Sequence, residues 1–222
     1  MSIMVGATSG KFVMIAAILL FQARVDGDPV PAAIALGRPA SSLSPRLADH
    51  LSKNRRAGAP VKINIRGNYF YTAIDRVDAD PVLKADLVIG QDVLATHPIE
   101  IDFGHHELAS LLPGELRARE RRSHAVALLP DGTGRWRVSL GLPDGRQLEA
   151  MLDLTRAEGV ILGKDADSNA SPPDGIITLG GWKFSGIRIW RAPQEVTKVG
   201  LGIFVGRRVI FDLGHDRIWI DG

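Results

Sequence analysis

Residues 86–108 read DLVIGQDVLATHPIEIDFGHHEL and residues 199–220 read VGLGIFVGRRVIFDLGHDRIWI, and both stretches follow one plan. In each, an apolar strand reaches a glycine, Gly90 or Gly202, and a short apolar segment of helical length leads into a second apolar strand. That second strand closes in Asp-x-Gly-His. The two tetrapeptides begin 110 residues apart, close to half of the chain, so the spacing indicates duplication of a whole lobe rather than a short solenoid repeat.

The two Asp-x-Gly-His tetrapeptides predict hairpin turns. An aspartate can accept hydrogen bonds from nearby amides, and a glycine tolerates positive φ, so both residue types suit a tight turn. We therefore interpret Asp102 and Asp212 as turn residues and not as catalytic acids. His105 and His106 are adjacent and could ligate a metal, but no further ligand stands in register with them, so we expect no metal site.

Composition limits the functional classes. The chain has 222 residues, of which 45% are hydrophobic and 23% are charged, as in a packed globular protein. The absence of cysteine excludes disulfides, thiolate metal sites and a cysteine nucleophile. The formal charge of +2 argues against nucleic-acid binding, and we assign the arginine-rich residues 117–122 to a solvated connection.

The N-terminal segment resembles a signal peptide. Lys11 precedes an apolar run at residues 12–21, which has the length of a signal-peptide core and is too short to span a bilayer as a helix. Ala23 is a candidate cleavage point, although Phe21 is bulky where a small residue is usual. We treat residues 1–23 as a separate segment and expect a periplasmic or secreted protein, otherwise a cytoplasmic one, with peripheral membrane contact through this segment as a further expectation. The alternative is a buried strand or helix of the folded domain.

A polar interruption divides the rest of the chain into two lobes. We assign residues 24–112 to the first lobe, residues 113–123 to a linker and residues 124–222 to the second lobe. Leu-Pro-Asp-Gly turns at residues 129–132 and 142–145 separate strands of the second lobe, because proline and glycine set the bend. An antiparallel meander is predicted there.

Residues 150–162 carry a family resemblance. They read AMLDLTRAEGVIL and resemble the catalytic strand and loop of aspartic peptidases, in which an apolar strand delivers Asp-Thr/Ser-Gly and another apolar pair follows. Asp153 stands in the place of the acid. Residues 86–94 resemble the Leu-Gly-x-Asp-x-Leu segment of retropepsin-like members. Over residues 30–222, the order of motifs is similar to that of the tandem two-lobe bacterial type.

The resemblance implies a mostly β, two-lobe acid-protease-like fold. Its duplicated lobes would be retropepsin-like β-barrels with short helices. It also implies a polypeptide substrate or ligand, aspartic endopeptidase activity where the catalytic motifs are retained, and no cofactor.

Both expected catalytic loops depart from the family motif. The first lobe has Ala35 at the acid position and keeps Gly37, whereas the second keeps Asp153 but has Thr155 in place of the glycine. Aspartic proteolysis needs two carboxylates that share one proton, so that one acts as base and the other as acid. Asp153 and Thr155 are therefore candidate catalytic residues of an incomplete site, in which we expect Thr155 to crowd the approach of the two loops.

A hairpin predicted at residues 62–71 is a flap candidate by analogy with the family. Its Tyr69 and Tyr71, with Gly37 and with Trp182 of the second-lobe counterpart, are candidate substrate-binding residues. The alternative is a pair of ordinary strands with surface tyrosines, and a tryptophan that belongs to the core.

Three functions are compatible with these residues. The first is a binding module that holds an extended polypeptide in an interlobe cleft without cutting it. The second is an active endopeptidase in which a homodimer brings two copies of Asp153 together. The third is a non-catalytic envelope scaffold.

Overall fold

The structure is a computed structural model that describes most of the chain. The described residues are 12–15, 18–54, 59–65, 68–74, 76–78, 85–131, 135–164, 166 and 174–221. Strands dominate because apolar side chains alternate with polar ones, as in Ile18–Val25, where every second side chain is buried.

The first lobe is a seven-stranded sheet with two helices. Its elements are β1 (Phe12–Ile15), β2 (Ile18–Val25), β3 (Asp28–Ile34), β4 (Ser42–Leu43), α1 (Pro45–Asn54), β5 (Val61–Ile65), β6 (Asn68–Thr72), β7 (Leu87–Ile89) and α2 (Gln91–Leu94). The strand order is β4-β7-β3-β2-β5-β6, with β1 also paired to β2. Asp26 and Gly27 turn β2 into β3 with φ of 54° and 103°, a conformation that aspartate and glycine tolerate better than other residues.

Strands β1 and β2 contain the segment that resembles a signal peptide. Phe21 and Ala23 are buried in β2, which pairs with β3 from Leu19 to Val25. Here the structure matches the alternative, a buried strand of the folded domain, and cleavage near Ala23 would cut through β2. Export itself stays a prediction. Among the described residues, no helix is long and apolar enough to cross a membrane.

The middle of the chain forms β8 (Ile99–Asp102), β9 (Glu107–Ser110), α3 (Pro113–Glu120) and β10 (Ser123–Ala127). Helix α3 lies in the predicted linker and buries none of its side chains. The basic residues 117–122 are therefore on the surface or only partly covered.

The second lobe is another seven-stranded sheet, followed by a 3₁₀ helix at Leu201–Phe204. Its strands are β11 (Leu129–Pro130), β12 (Trp136–Gly141), β13 (Gln147–Leu152), β14 (Val160–Leu162), β15 (Asp174–Leu179), β16 (Trp182–Arg191) and β17 (Lys198–Val199). Strand β12 pairs with both β13 and β15, which closes the sheet into a barrel.

A third sheet joins the halves. Strands β18 (Arg208–Asp212) and β19 (Arg217–Asp221) complete it in the order β10-β19-β18-β8-β9. The first half supplies two of its strands and the second half supplies three. Most buried apolar side chains of both lobes and of this sheet form one continuous cluster.

The repeated strand–glycine–helix plan is confirmed with one correction. Gly90 precedes α2 with φ −106° and ψ −169°, and Gly200 precedes the 3₁₀ helix with φ −106° and ψ −175°. Gly200, and not Gly202, is therefore the counterpart of Gly90. Both glycines of Gly200-Leu201-Gly202 fit the sequence pattern, but only Gly200 has the backbone conformation of Gly90 immediately before the helix.

The two Asp-x-Gly-His tetrapeptides form hairpin turns, as predicted, between β8 and β9 and between β18 and β19. The carboxylate of Asp102 accepts hydrogen bonds from the backbone N–H of Gly104 at 3.0 Å and of His105 at 2.9 Å. It also accepts one from the Arg208 guanidinium at 3.0 Å. Burial raises the pKa of Asp102, but the bonds from His105 and Arg208 outweigh it and lower this pKa from 3.8 to about 2.

This lowered pKa predicts a loss of stability in acid. The charged form of Asp102 should contribute about 2 kcal/mol above pH 4, and this contribution should disappear as the pH falls from about 4 to about 2. We expect Asp102→Asn to be less stable than the wild type in urea at pH 7 and nearly equal to it at pH 2. A stability difference that does not change with pH would contradict this assignment.

The glycines of the two turns lie at contacts between the lobes. A β-carbon at Gly214 would stand 1.8 Å from the carbonyl oxygen of Ala95, the residue after α2. A β-carbon at Gly104 would stand 3.3 Å from the carbonyl oxygen of Gly206. In both copies of the motif, the turn therefore approaches the backbone of the opposite lobe.

Candidate functional site

The loops after β3 and β13 have the same hydrogen bonds. The N–H of Ala35 donates to the carbonyl of Ile89 at 3.0 Å, and the N–H of Asp153 donates to that of Val199 at 2.8 Å. Each loop is then closed by a bond from the residue three positions later, at 2.8 Å and 3.0 Å. Ala35 therefore occupies the position of Asp153, as the sequence predicted.

The two loops touch. A β-carbon on Gly37 would lie 2.0 Å from Cγ2 of Thr155, so the glycine in the first loop leaves the space that the threonine in the second loop fills. The expectation that Thr155 would crowd the approach of the loops is wrong, because Gly37 compensates for it. The first lobe's loop thus lies directly against the second lobe's loop within one chain.

Asp153 opens onto a groove of about 380 Å³. Most of its lining comes from the second lobe, and Gly37 and Gln91 come from the first. The lining residues are Gly37, Gln91, Arg135, Trp136, Met151, Leu152, Asp153, Leu154, Thr155, Glu195, Val196 and Lys198. The structure therefore brings together three of the predicted site residues, Gly37, Asp153 and Thr155.

The Asp153 carboxylate is held as an anion. It accepts hydrogen bonds from the Thr155 hydroxyl at 2.5 Å and from the Thr155 N–H at 3.2 Å, and the Lys198 ammonium lies at 3.2 Å. Burial raises the pKa of Asp153, but these hydrogen bonds and the charge of Lys198 outweigh it, so the pKa lies below its ordinary value.

Glu195 is a second carboxylate in the groove. Lys198 donates to it at 2.7 Å, and the Arg156 guanidinium lies at 3.4 Å. The hydrogen bond from Lys198 and its charge lower the pKa of Glu195, and the hydrogen bond to Glu195 raises the pKa of Lys198. Both carboxylates are thus ionised and bound to the same ammonium, which is the opposite of a pair that shares a proton.

The two lobes differ in charge on this face. Ala33 pairs with Val88 in parallel register, as Met151 pairs with Lys198, and these pairs fix the equivalent positions. In the first lobe the equivalent positions are apolar: Ile18, Leu20, Ala33, Ala35, Ala85 and Val88. In the second lobe all but the methionine are charged: Arg135, Arg137, Met151, Asp153, Glu195 and Lys198.

Among the described residues of the flap candidate, none lines the groove. β5 and β6 form the predicted hairpin, but the Asn68 amide at its turn donates to the Ser110 carbonyl at 2.8 Å and to Glu115 at 2.9 Å. The hairpin therefore leans on β9 and α3. Tyr69 and Tyr71 are about half exposed and do not line the groove, so their assignment as substrate-binding residues is not supported by the geometry.

Trp182, in the equivalent hairpin of the second lobe, also lies outside the groove lining. Its ring stacks on that of His124 at 5.0 Å between centroids, beside β10, and it packs against the core. Its position matches the alternative prediction, a tryptophan that belongs to the core. The reason is common to both hairpins, since each folds toward the shared sheet rather than across the loops.

Sequence reasoning missed Lys198 and Glu195. A signal was present, because alignment of the strands before Gly90 and Gly200 places Lys198 opposite Val88, a lysine where the other repeat has an apolar side chain. Within the described ranges, no group of three or more His, Asp or Glu side chains is placed to hold a metal ion.

Comparison with known proteins supports the architecture. The basic 7S globulin from soybean aligns with 93% of this chain and 91% of its own, with a TM-score of 0.57 and 9% sequence identity. The chain has a two-lobe acid-protease-like fold. At this identity the likeness concerns the fold alone. No protein-family model and no curated protein matches the sequence.

Proposed function

We propose that this chain binds extended polypeptides in the groove beside Asp153 without hydrolysing them. The observation that carries the proposal is the ion pair between Asp153 and Lys198, with Ala35 at the position where a second acid would stand. The acid-protease-like fold forms the groove, but the Asp153–Lys198 ion pair takes the place of the proton-sharing pair of carboxyls that hydrolysis needs.

Hydrolysis is disfavoured by the protonation states. A water molecule would need one carboxylate as base and one protonated carboxyl as acid. Asp153 and Glu195 both have lowered pKa values and both contact Lys198, so neither keeps a proton near neutral pH.

The lining of the groove supports a peptide as the ligand. Trp136 and Met151 offer apolar surface, while Gln91 and Thr155 offer polar groups that a peptide backbone can use. A cleft of this kind binds an extended chain mainly through backbone hydrogen bonds, and its side-chain pockets add selectivity.

The homodimeric peptidase is the weaker alternative. It would require a second subunit to present its own Asp153 loop to this one. Thr155 instead contacts Gly37 of the same chain, so the first lobe already occupies the side from which a partner loop would approach.

We expect purified protein to bind a mixed peptide library and to release no new peptide termini from pH 3 to 7. Met151→Trp should weaken binding about tenfold, equal to about 1.4 kcal/mol, because the larger side chain fills the groove. Isothermal calorimetry would measure the affinity, and mass spectrometry would detect cleavage.

Glu149→Trp is the matched control, since Glu149 lies on the same strand, is exposed and does not line the groove. Equal affinities of the two variants would argue against binding at this site. Cleavage that Asp153→Ala abolishes would refute the non-catalytic function.

A further inference from the structure

We propose that the groove selects polypeptides that carry a carboxylate, and that Arg135 is the residue that binds it. This inference rests on the proposed function and adds the chemical class of the ligand.

Two cations of the groove region are already neutralised. Lys198 is shared by Asp153 and Glu195, at 3.2 Å and 2.7 Å, and Arg156 lies 3.4 Å from Glu195. These two cations and two anions cancel. The lining alone holds two cations, Arg135 and Lys198, and two anions; with Arg156 counted, Arg135 is the excess positive charge of the groove region.

The Arg135 guanidinium has no carboxylate within ion-pairing distance in the part of the chain that the structure describes. Its Nη1 contacts the sulfur of Met151 at 4.0 Å, a weak interaction. Arg137, two residues later and within β12, instead pairs with Glu149 at 3.3 Å. The guanidinium of Arg137 is thus paired with a carboxylate, whereas that of Arg135 is available to a ligand.

The surroundings of Arg135 suit a carboxylate. A guanidinium presents a planar fork of N–H groups that matches the two oxygens of a carboxylate. Trp136 and Met151 line the groove next to it and offer apolar surface to the rest of the ligand. In the first lobe the equivalent position holds Ile18, so the preference belongs to one end of the groove.

A carboxylate can come from an acidic side chain or from a peptide C-terminus, and three peptide pools distinguish these sources. All are N-acetylated and of equal length. The first has a fixed central Glu and an amidated C-terminus, the second a central Gln and an amidated C-terminus, and the third a central Gln and a free C-terminus. Surface plasmon resonance on the full chain would measure each apparent Kd.

We expect at least one carboxylate-bearing pool to bind about tenfold more tightly than the neutral pool. Arg135→Gln should remove this difference, and a rise in ionic strength should reduce it. Arg137→Gln, outside the groove lining, should leave it unchanged. The pool that gains affinity identifies the source of the carboxylate.

Two results would overturn the inference in separable ways. If all three pools bind equally, or if Arg135→Gln keeps the preference, carboxylate selection is wrong while peptide binding stands. If no pool binds, both the proposed function and this inference fail.

Discussion

The triple variant Ala35→Asp/Thr155→Gly/Lys198→Val is expected to cleave peptides at acid pH, at least about 100-fold faster than the wild type. Each substitution installs the residue that the other lobe has at the equivalent position: Asp153, Gly37 and Val88. The variant would place a carboxylate on each of two touching loops and would remove the ammonium that keeps Asp153 ionised. Two facing carboxylates can then share a proton.

The control for this experiment is the same variant with Asp153→Asn added. It keeps the new acid at position 35 but has no carboxyl at position 153, so no pair of facing carboxylates can share a proton and we expect it to be inactive. A wild-type protein as active as the triple variant would contradict the assignment of Lys198 as the group that blocks the chemistry. Product analysis by mass spectrometry at pH 3 to 5 would separate these outcomes.

Gly214→Ala is expected to destabilise the protein by about 2–4 kcal/mol. The added β-carbon would lie 1.8 Å from the Ala95 carbonyl oxygen, and both groups belong to the backbone, so one lobe must shift against the other. For a chain of this length we expect the melting temperature to fall by about 5–15 °C, measured by circular dichroism.

Gly114→Ala is the matched control for the same chemical change. Gly114 lies in α3 and has no atom within 4 Å of the place where its β-carbon would stand. We expect no loss of stability there, because alanine favours the helix more than glycine does. Equal losses in the two variants would show that the contact of Gly214 with Ala95 has no special role.

Local patterns explain what the sequence predicted correctly. The strands follow from alternating side chains, and the hairpins follow from turn residues such as Asp26 and Gly27. The duplicated ending and the departures at Ala35 and Thr155 were visible because each lobe serves as a template for the other. These features need no knowledge of distant contacts.

The remaining features depend on contacts between distant parts of the chain. Nothing local to Tyr69 indicates that its hairpin leans on β9, and nothing local to Lys198 indicates that its ammonium lies between Asp153 and Glu195. Strand β2 was hidden for a related reason. A strand buried beside its neighbours and a signal-peptide core are both short apolar runs, and composition does not separate them.

The sheet that joins the halves decides how the molecule unfolds. Strands β8 and β18 are neighbours in space, yet they come from opposite ends of the duplication, and neither half alone can satisfy their backbone groups. Separation of the lobes would expose the edge of each strand together with the apolar side chains beneath it. We therefore expect the two repeats to unfold as one cooperative unit and a single repeat to be unstable by itself.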